Sequence, residues 1–155
     1  MKRNPFFWTV AIAGLILDQL TKYWTVKSFP QVGDTIPILT DIFHLTYVVN
    51  TGAAFSFFTG GANWLKWLSL IVSIVLMIYA WYSPNLRLTE QLGYGFILAG
   101  ALGNGIDRFL FGYVVDFLDF RLINFPVFNL ADTCINIGII FLLYASFIPV
   151  SSPKK

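Results

Sequence analysis

Two aspartates stand in this chain where a carboxylate is expensive. Asp132 lies at the mouth of the last long apolar run, in FNLADTCINIG, and residues 133–150 carry no charged side chain. Asp116 lies in GYVVDFLDF, among apolar neighbours. On insertion scales a charge costs about 2.5–3.5 kcal/mol at mid-bilayer and less near the interface. Two carboxylates sharing one proton can hydrolyse an amide. The ionised one takes a proton from water while the neutral one polarises the carbonyl, and proximity pushes their proton affinities apart. Spacing alone leaves a local alternative open. Asn129 precedes Asp132 by three residues, a possible N-cap with an acid at N3, much like a capping box. An acid there also suits the helix dipole, by about 0.3–1 kcal/mol. For Asp116 the local alternative is a surface-loop carboxylate.

Other chemistries have fewer parts available. His44 is the single histidine, so a Ser-His-Asp triad would have to be built on it alone. With no second His or Cys ligand near it, a zinc site of the usual kind is not expected. Cys134 is the single cysteine, which excludes an intramolecular disulfide and suits a small core residue. A net charge of +2 is too small to point to nucleic acid.

The elements that must position these groups read as membrane spans. The 155 residues are 57% hydrophobic and 12% charged, where a soluble domain carries about 25% charged residues. One integral membrane domain over residues 1–155 is expected, with helices at about 6–26, 64–82, 91–110 and 129–150. The first run holds Asp18, Gln19 and Lys22; it continues too far past AIAG to read as a cleaved signal peptide. Ser83-Pro84-Asn85 should stop the second helix. Gly93, Gly95, Gly100 and Gly103 in the third should let a neighbour pack closely, and Gly105 should loosen its end. The third and fourth runs, so bounded, carry no acid toward the side of the termini.

Four spans put both termini on one side, with Lys2, Arg3, Arg87, Lys154 and Lys155. Lys27, Arg108 and Arg121 fall opposite, so positive charge places the termini in the cytoplasm. The outer loops, about 27–63 and 111–128, then hold Asp34, Asp41, Asp116 and Asp119, with Asp107 at their edge. IPILTDIFHLTYVVN reads as short strands with Asp41 near a turn. GYVVDFLDF reads as a third strand, with Asp116 and Asp119 on opposite faces. The fold class expected is therefore a membrane all-α protein of four transmembrane helices with a small outer-surface sheet.

The unusual polar residues gather at the outer ends of the spans. In order they lie in DQLTK, NTGAAF, GNGIDR, GYVVDFLDF and FPVFNLADT. A chain carrying these five motifs around four spans resembles the lipoprotein signal peptidases, also called signal peptidase II, over nearly its whole length. The resemblance implies four transmembrane helices, an outer β-cradle and an aspartic dyad, with no metal and no cofactor. It implies cleavage of bacterial prolipoproteins just before a cysteine already carrying diacylglycerol, at the outer face of the plasma membrane. By the same resemblance the dyad is Asp116 and Asp132. Asn50, Asn104 and Arg108 match positions that hold substrate backbone or the cyclic peptide inhibitor globomycin. Asn129 matches a polar position beside the dyad, and Asp18, Lys22 and Asp107 match supporting residues. The partners implied are the diacylglyceryl substrate, membrane lipid and globomycin-type inhibitors, with a single copy of the chain sufficing.

On this reading the substrate's signal helix lies beside the third and fourth spans, and the stretch NTGAAFSFFTGG forms a lid. Asp18 and Lys22, one turn apart, should form an intrahelical ion pair. Arg108 could instead pair with Asp107 or bind lipid phosphate, and Asp119 is expected to be structural. The competing class is a small transporter, since intramembrane acids are often ion sites. Here the acids collect at one face and do not string across the bilayer.

Overall fold

The structure, a computed structural model, describes residues 4–52, 62–84 and 86–147. Its order is α1 (Pro5–Ser28), β1 (Thr35–Leu39), β2 (Phe43–Asn50), α2 (Ala62–Tyr82), α3 (Leu88–Leu110), β3 (Val114–Phe120), a 3-10 turn at Arg121–Ile123, and α4 (Leu130–Phe147). Four helices and a three-stranded sheet are thus what the sequence pattern anticipates. Helix ends carry local causes. Pro5 opens α1, where its missing N–H costs nothing. Asn4 just before it ties that end to the α2–α3 turn, giving Nδ2 to Ala80 O at 2.9 Å and taking Leu86 N–H on Oδ1 at 2.9 Å. The end of α2 at Tyr82 agrees with the Ser83-Pro84 stop; Asn85 lies outside the described residues.

The third helix departs from expectation at its start and ends at Leu110 as expected. It starts at Leu88, three residues before the expected Gln91, because Glu90 and Arg87 close a box at its start. Glu90 accepts the Arg87 N–H at 2.9 Å and the guanidinium at 2.7 Å. So α3 does carry an acid toward the side of the termini, locked to an arginine and not open as an ion site. At the other end the helix runs unbroken through Gly105 to Leu110, so Gly105 does not loosen it. Gly105 instead lets α2 approach: a Cβ there would stand 3.0 Å from Ser69 Cβ.

Helix α3 is the central element, packed on α1, α2 and α4. Its closest approaches are at Gly100 and Gly103. A Cβ on Gly100 would land on Ala131 O, and one on Gly103 would land on Asp18 Oδ2. Any side chain there would push α4 or α1 away. Phe7, Ala11, Ala80 and Leu98 form an apolar core near the α1 start.

The sheet is antiparallel, in the order β1-β2-β3. Asp41 turns the β1–β2 hairpin at φ 60. A bulge between Leu45 and Val48 shifts register, so that Val48 pairs with Asp116 and His44 with Asp119. Phe29, Tyr47 and Val115 pack into a second core under it. Beyond the 3-10 turn the chain comes back along β3. Phe128 O accepts Leu118 N–H at 2.8 Å, and Phe128 N–H goes to Leu118 O at 3.1 Å. That return delivers Asn129 and the first turn of α4 directly across from Asp116.

The molecule is apolar outside and polar within. Ile12, Ile16, Leu20 and Trp24 of α1 are exposed, while Asp18 and Lys22 of the same helix are 1% and 3% exposed. By length and composition two helices, over Asn63–Tyr82 and Leu130–Phe147, are apolar enough to cross a membrane. Asp18 and Lys22 of α1 and Asp107 of α3 sit on the buried faces of their helices.

Candidate active site

The structure sets Asp116, from β3, and Asp132, from the first turn of α4, in the wall of one cavity of about 820 Å³. Asn129 joins them. As N-cap of α4 its Oδ1 accepts the Asp132 N–H at 2.9 Å, while Asp132 Oδ2 accepts the Asn129 N–H at 3.3 Å. The capping arrangement read from the sequence is therefore present. The same Asn129 gives Nδ2 to Asp116 Oδ1 at 2.6 Å and to Asn104 Oδ1 at 3.0 Å. Cap and carboxylate pair are one construction, so the cap does not argue against a site.

Other expected residues meet the same pair. Asn50, ending β2, donates to Asp116 Oδ2 at 2.9 Å, and Asn104 of α3 donates to Asp132 Oδ1 at 2.8 Å. Arg108, one turn beyond Asn104, gives an N–H to Gly52 O at 3.1 Å, and its Nε has no partner among the described residues. It does not pair with Asp107. Asp107 takes Lys22 Nζ at 2.9 Å, and Asp18 takes the same ammonium at 3.0 Å. The expected intrahelical pair is thus part of a buried three-residue cluster. Breaking such a cluster by removing one partner costs about 3–5 kcal/mol. Asp18 also reaches the amide of Ala131 at 2.9 Å, satisfying a second N–H at the start of α4. Neither that contact nor the Gln19 bond to Asp107 at 3.0 Å is readable from spacing, because partners far apart in sequence leave no periodic mark.

Electrostatics separate the two faces of β3. Asp116 is 1% exposed. Burial, and next the charge of Asp132, push its carboxyl up from 3.8 to about 7, against the bonds from Asn50 and Asn129. Asp119, on the other face, is the opposite case. Burial pushes it up, but Thr46 at 2.7 Å and Arg121 at 2.9 Å outweigh this and hold it below the ordinary carboxylate value. It stands outside the cavity, as the alternation along the strand implies.

The cavity has a polar end and an apolar side. Asn50, Asn104, Arg108 and the two aspartates form the first; Phe125, Val127, Phe128, Ile137 and Ile140 form the second. Thr133 and Asn136 also line it, and sequence reading passed over both. The stretch expected to form a lid lies outside the described residues from position 53 to 61. Among the described residues no cluster of His, Cys, Asp or Glu is suited to a metal ion.

An apolar exterior, a charged interior and two carboxylates against one cavity define the class: an enzyme of the membrane. Solved structures agree. One bacterial membrane enzyme, determined by the in meso method at 2.3 Å, is similar with a TM-score of 0.82 and 31% identity, over 95% of this chain and 93% of that one. A second, at 1.9 Å, has a TM-score of 0.80 and 32% identity, over 92% of each. The family model described as Signal peptidase (SPase) II matches residues 10–148, and the chain belongs to that family. Its activity is accordingly that of a lipoprotein signal peptidase, an aspartic peptidase. The lipoprotein signal peptidase of Gloeothece citriformis is 74% identical over 155 residues, covering 100% of this chain and 97% of that one. Those of Microcystis aeruginosa and Synechocystis sp. are 71% and 68% identical, over 94% and 99% of this chain and 94% and 95% of theirs.

Proposed function

We propose that Asp116 and Asp132 are the catalytic dyad, and that the substrate is a prolipoprotein cut just before a diacylglyceryl-modified cysteine. One observation carries the reading: both carboxylates wall a single cavity whose apolar side continues along α4 from Asp132 to Ile140. Eight residues of helix make that side about 12 Å long, room for acyl chain or signal helix below the polar end. Asp132 takes a proton from water, whose oxygen attacks the scissile carbonyl carbon. Asp116 gives its proton to the carbonyl oxygen. As the tetrahedral intermediate collapses, the C–N bond breaks, Asp132 passes its proton to the leaving amine, and Asp116 recovers one from the hydroxyl. Arg108, whose Nε has no partner among the described residues, grips substrate backbone together with Asn50.

The protein is one integral membrane domain over residues 1–155 in which α1, α2, α3 and α4 all cross the bilayer. Its termini are in the cytoplasm and its sheet lies on the outer surface of the plasma membrane. A helix of 23 or 24 residues spans about 35 Å, and the buried charges of α1 and α3 pair within the bundle, which supports spans for both. One copy suffices, and globomycin-type cyclic peptides compete for the same cavity. The test is cleavage by purified protein of a diacylglyceryl-modified precursor peptide beside its unlipidated twin. Hydrolysis just before the cysteine of the lipidated peptide alone is expected; equal cleavage of both would overturn the substrate assignment.

A further inference from the structure

Lys22 uses all three ammonium hydrogens. Two go to Asp18 and Asp107, at 3.0 and 2.9 Å, and these alone offset its charge. The third goes to a neutral amide oxygen, Asn104 Oδ1, at 3.0 Å. That amide touches the carboxylate pair. Its oxygen also accepts Asn129 Nδ2 at 3.0 Å, and its nitrogen donates to Asp132 Oδ1 at 2.8 Å. Turned over, it would set an NH2 group against an ammonium and against a second NH2, and an oxygen against Asp132. Lys22 therefore locks it one way up. With that N–H aimed at it, Asp132 Oδ1 is held as an acceptor at the start of α4.

We propose that Lys22 is a positioning residue for the dyad: by holding the Asn104 oxygen it turns the amide N–H onto Asp132, which makes Asp132 the base and leaves the shared proton on Asp116. The inference rests on the dyad assignment above and gives Asn104 a duty other than gripping substrate backbone. Its test is the pH–rate profile for cleavage of the diacylglyceryl precursor. Lys22→Met combined with Asp107→Asn removes the donor while keeping the cluster's net charge. Asn104→Asp keeps acceptors for Lys22 and Asn129 but offers no N–H to Asp132.

Both variants should insert and keep KM. They should lose about tenfold to a hundredfold in kcat, and the pH–rate profile should change shape, because the amide no longer fixes which carboxylate keeps the proton. An unchanged profile, or a loss seen only in KM, would overturn the proposal and return Asn104 to substrate binding. If the double variant fails to insert, Asn104→Asp decides; failure of that variant as well would make the lock a requirement of folding and overturn the proposal too. Normal turnover in Asp132→Asn would sink the dyad itself, an outcome separate from these.

Discussion

At the scale of single residues Asp132 caps α4 and is proposed as half of the dyad, and one substitution separates the two roles. Asn is nearly isosteric and is itself a good polar residue at a helix start. If the capping bonds with Asn129 were its whole purpose, Asp132→Asn should cost less than about 1 kcal/mol and leave turnover intact. As half of an acid–base pair it cannot be replaced, since the amide does not exchange the proton. Cleavage should collapse by about a thousandfold or more while insertion and globomycin binding persist. Asp116→Asn should behave alike, and the double variant should be scarcely worse, because the pair acts as a unit. Asp119→Asn is the control, since among the described residues the Asp119 carboxylate bonds Thr46 and Arg121, on the other strand face. A second prediction concerns pH. Asp116 sits at about 7 in the folded protein against 3.8 ordinarily, raised chiefly by burial. The proposed mechanism needs its proton, so kcat/KM should fall as pH rises through about 7. The folded state binds that proton more tightly than the unfolded chain, so the contribution of Asp116 to stability is full below the ordinary value and is lost between about pH 4 and about pH 7. Asn50→Ala removes a bond that lowers Asp116, so the alkaline limb should move to higher pH in that variant. A limb unmoved by Asn50→Ala would detach it from Asp116. Part of the local geometry is legible in the sequence. Asn129 and Asp132 are three apart, and Asp116 and Asp119 fall on opposite strand faces, both local facts. The bonds of Lys22 to Asn104 and of Asp18 to Ala131 join helices, and no local spacing records them.

Among the elements, the strands were readable because alternation is local, and the bulge between Leu45 and Val48 was not, because it exists only in the pairing. The third helix began earlier than its apolar run, since Arg87 and Glu90 are polar residues that make a helix start by bonding each other. Glycine placement is legible as close packing for Gly100 and Gly103, whereas at Gly105 the sequence does not show that the missing side chain seats Ser69 of a distant helix. Close approach has a functional consequence at Gly100. A methyl there would meet Ala131 O, in the turn that carries Asp132. Gly100→Ala should therefore cost about 1–3 kcal/mol by overpacking, and it should lower kcat as well, by displacing the start of α4 from Asp116. Thermal unfolding in detergent and precursor cleavage measure the two effects. A stability loss with unchanged kcat would mean that α4 yields elsewhere and that the dyad geometry tolerates it. Arg108→Lys belongs to the same scale, because Arg108 ties α3 to the chain after β2 through Gly52 O. A planar fork is lost while charge is kept, so KM should rise more than stability falls.

The whole molecule has a direction. Asp116, Asp132, Asn104 and Arg108 lie at the end of the bundle that carries the sheet, and Arg87 and Glu90 at the other. Counting basic residues alone gave a modest bias, five on the side of the termini against three opposite. The structure accounts for two of those three. Arg121 is held by Asp119, and Arg108 lines the cavity. Lys27 is left at the end of α1, over the Tyr23 ring. By sequence the termini carry Lys2, Arg3, Lys154 and Lys155, so the cytoplasmic side should be theirs. A thiol-labelling experiment can decide this. Cys134 is 8% exposed and gives a low background. Val32, between α1 and β1, and Leu88, opening α3, are 58% and 52% exposed and lie at opposite ends of the bundle. In intact cells or spheroplasts a membrane-impermeant maleimide should modify Val32→Cys at once and Leu88→Cys only after lysis. The reverse pattern would place the cavity on the cytoplasmic side, away from precursors whose cysteine has already crossed. With the orientation proposed here, a signal helix entering from the cytoplasm ends at the height of Asp116 and Asp132. The amide to be cut then reaches the carboxylates without leaving the membrane surface.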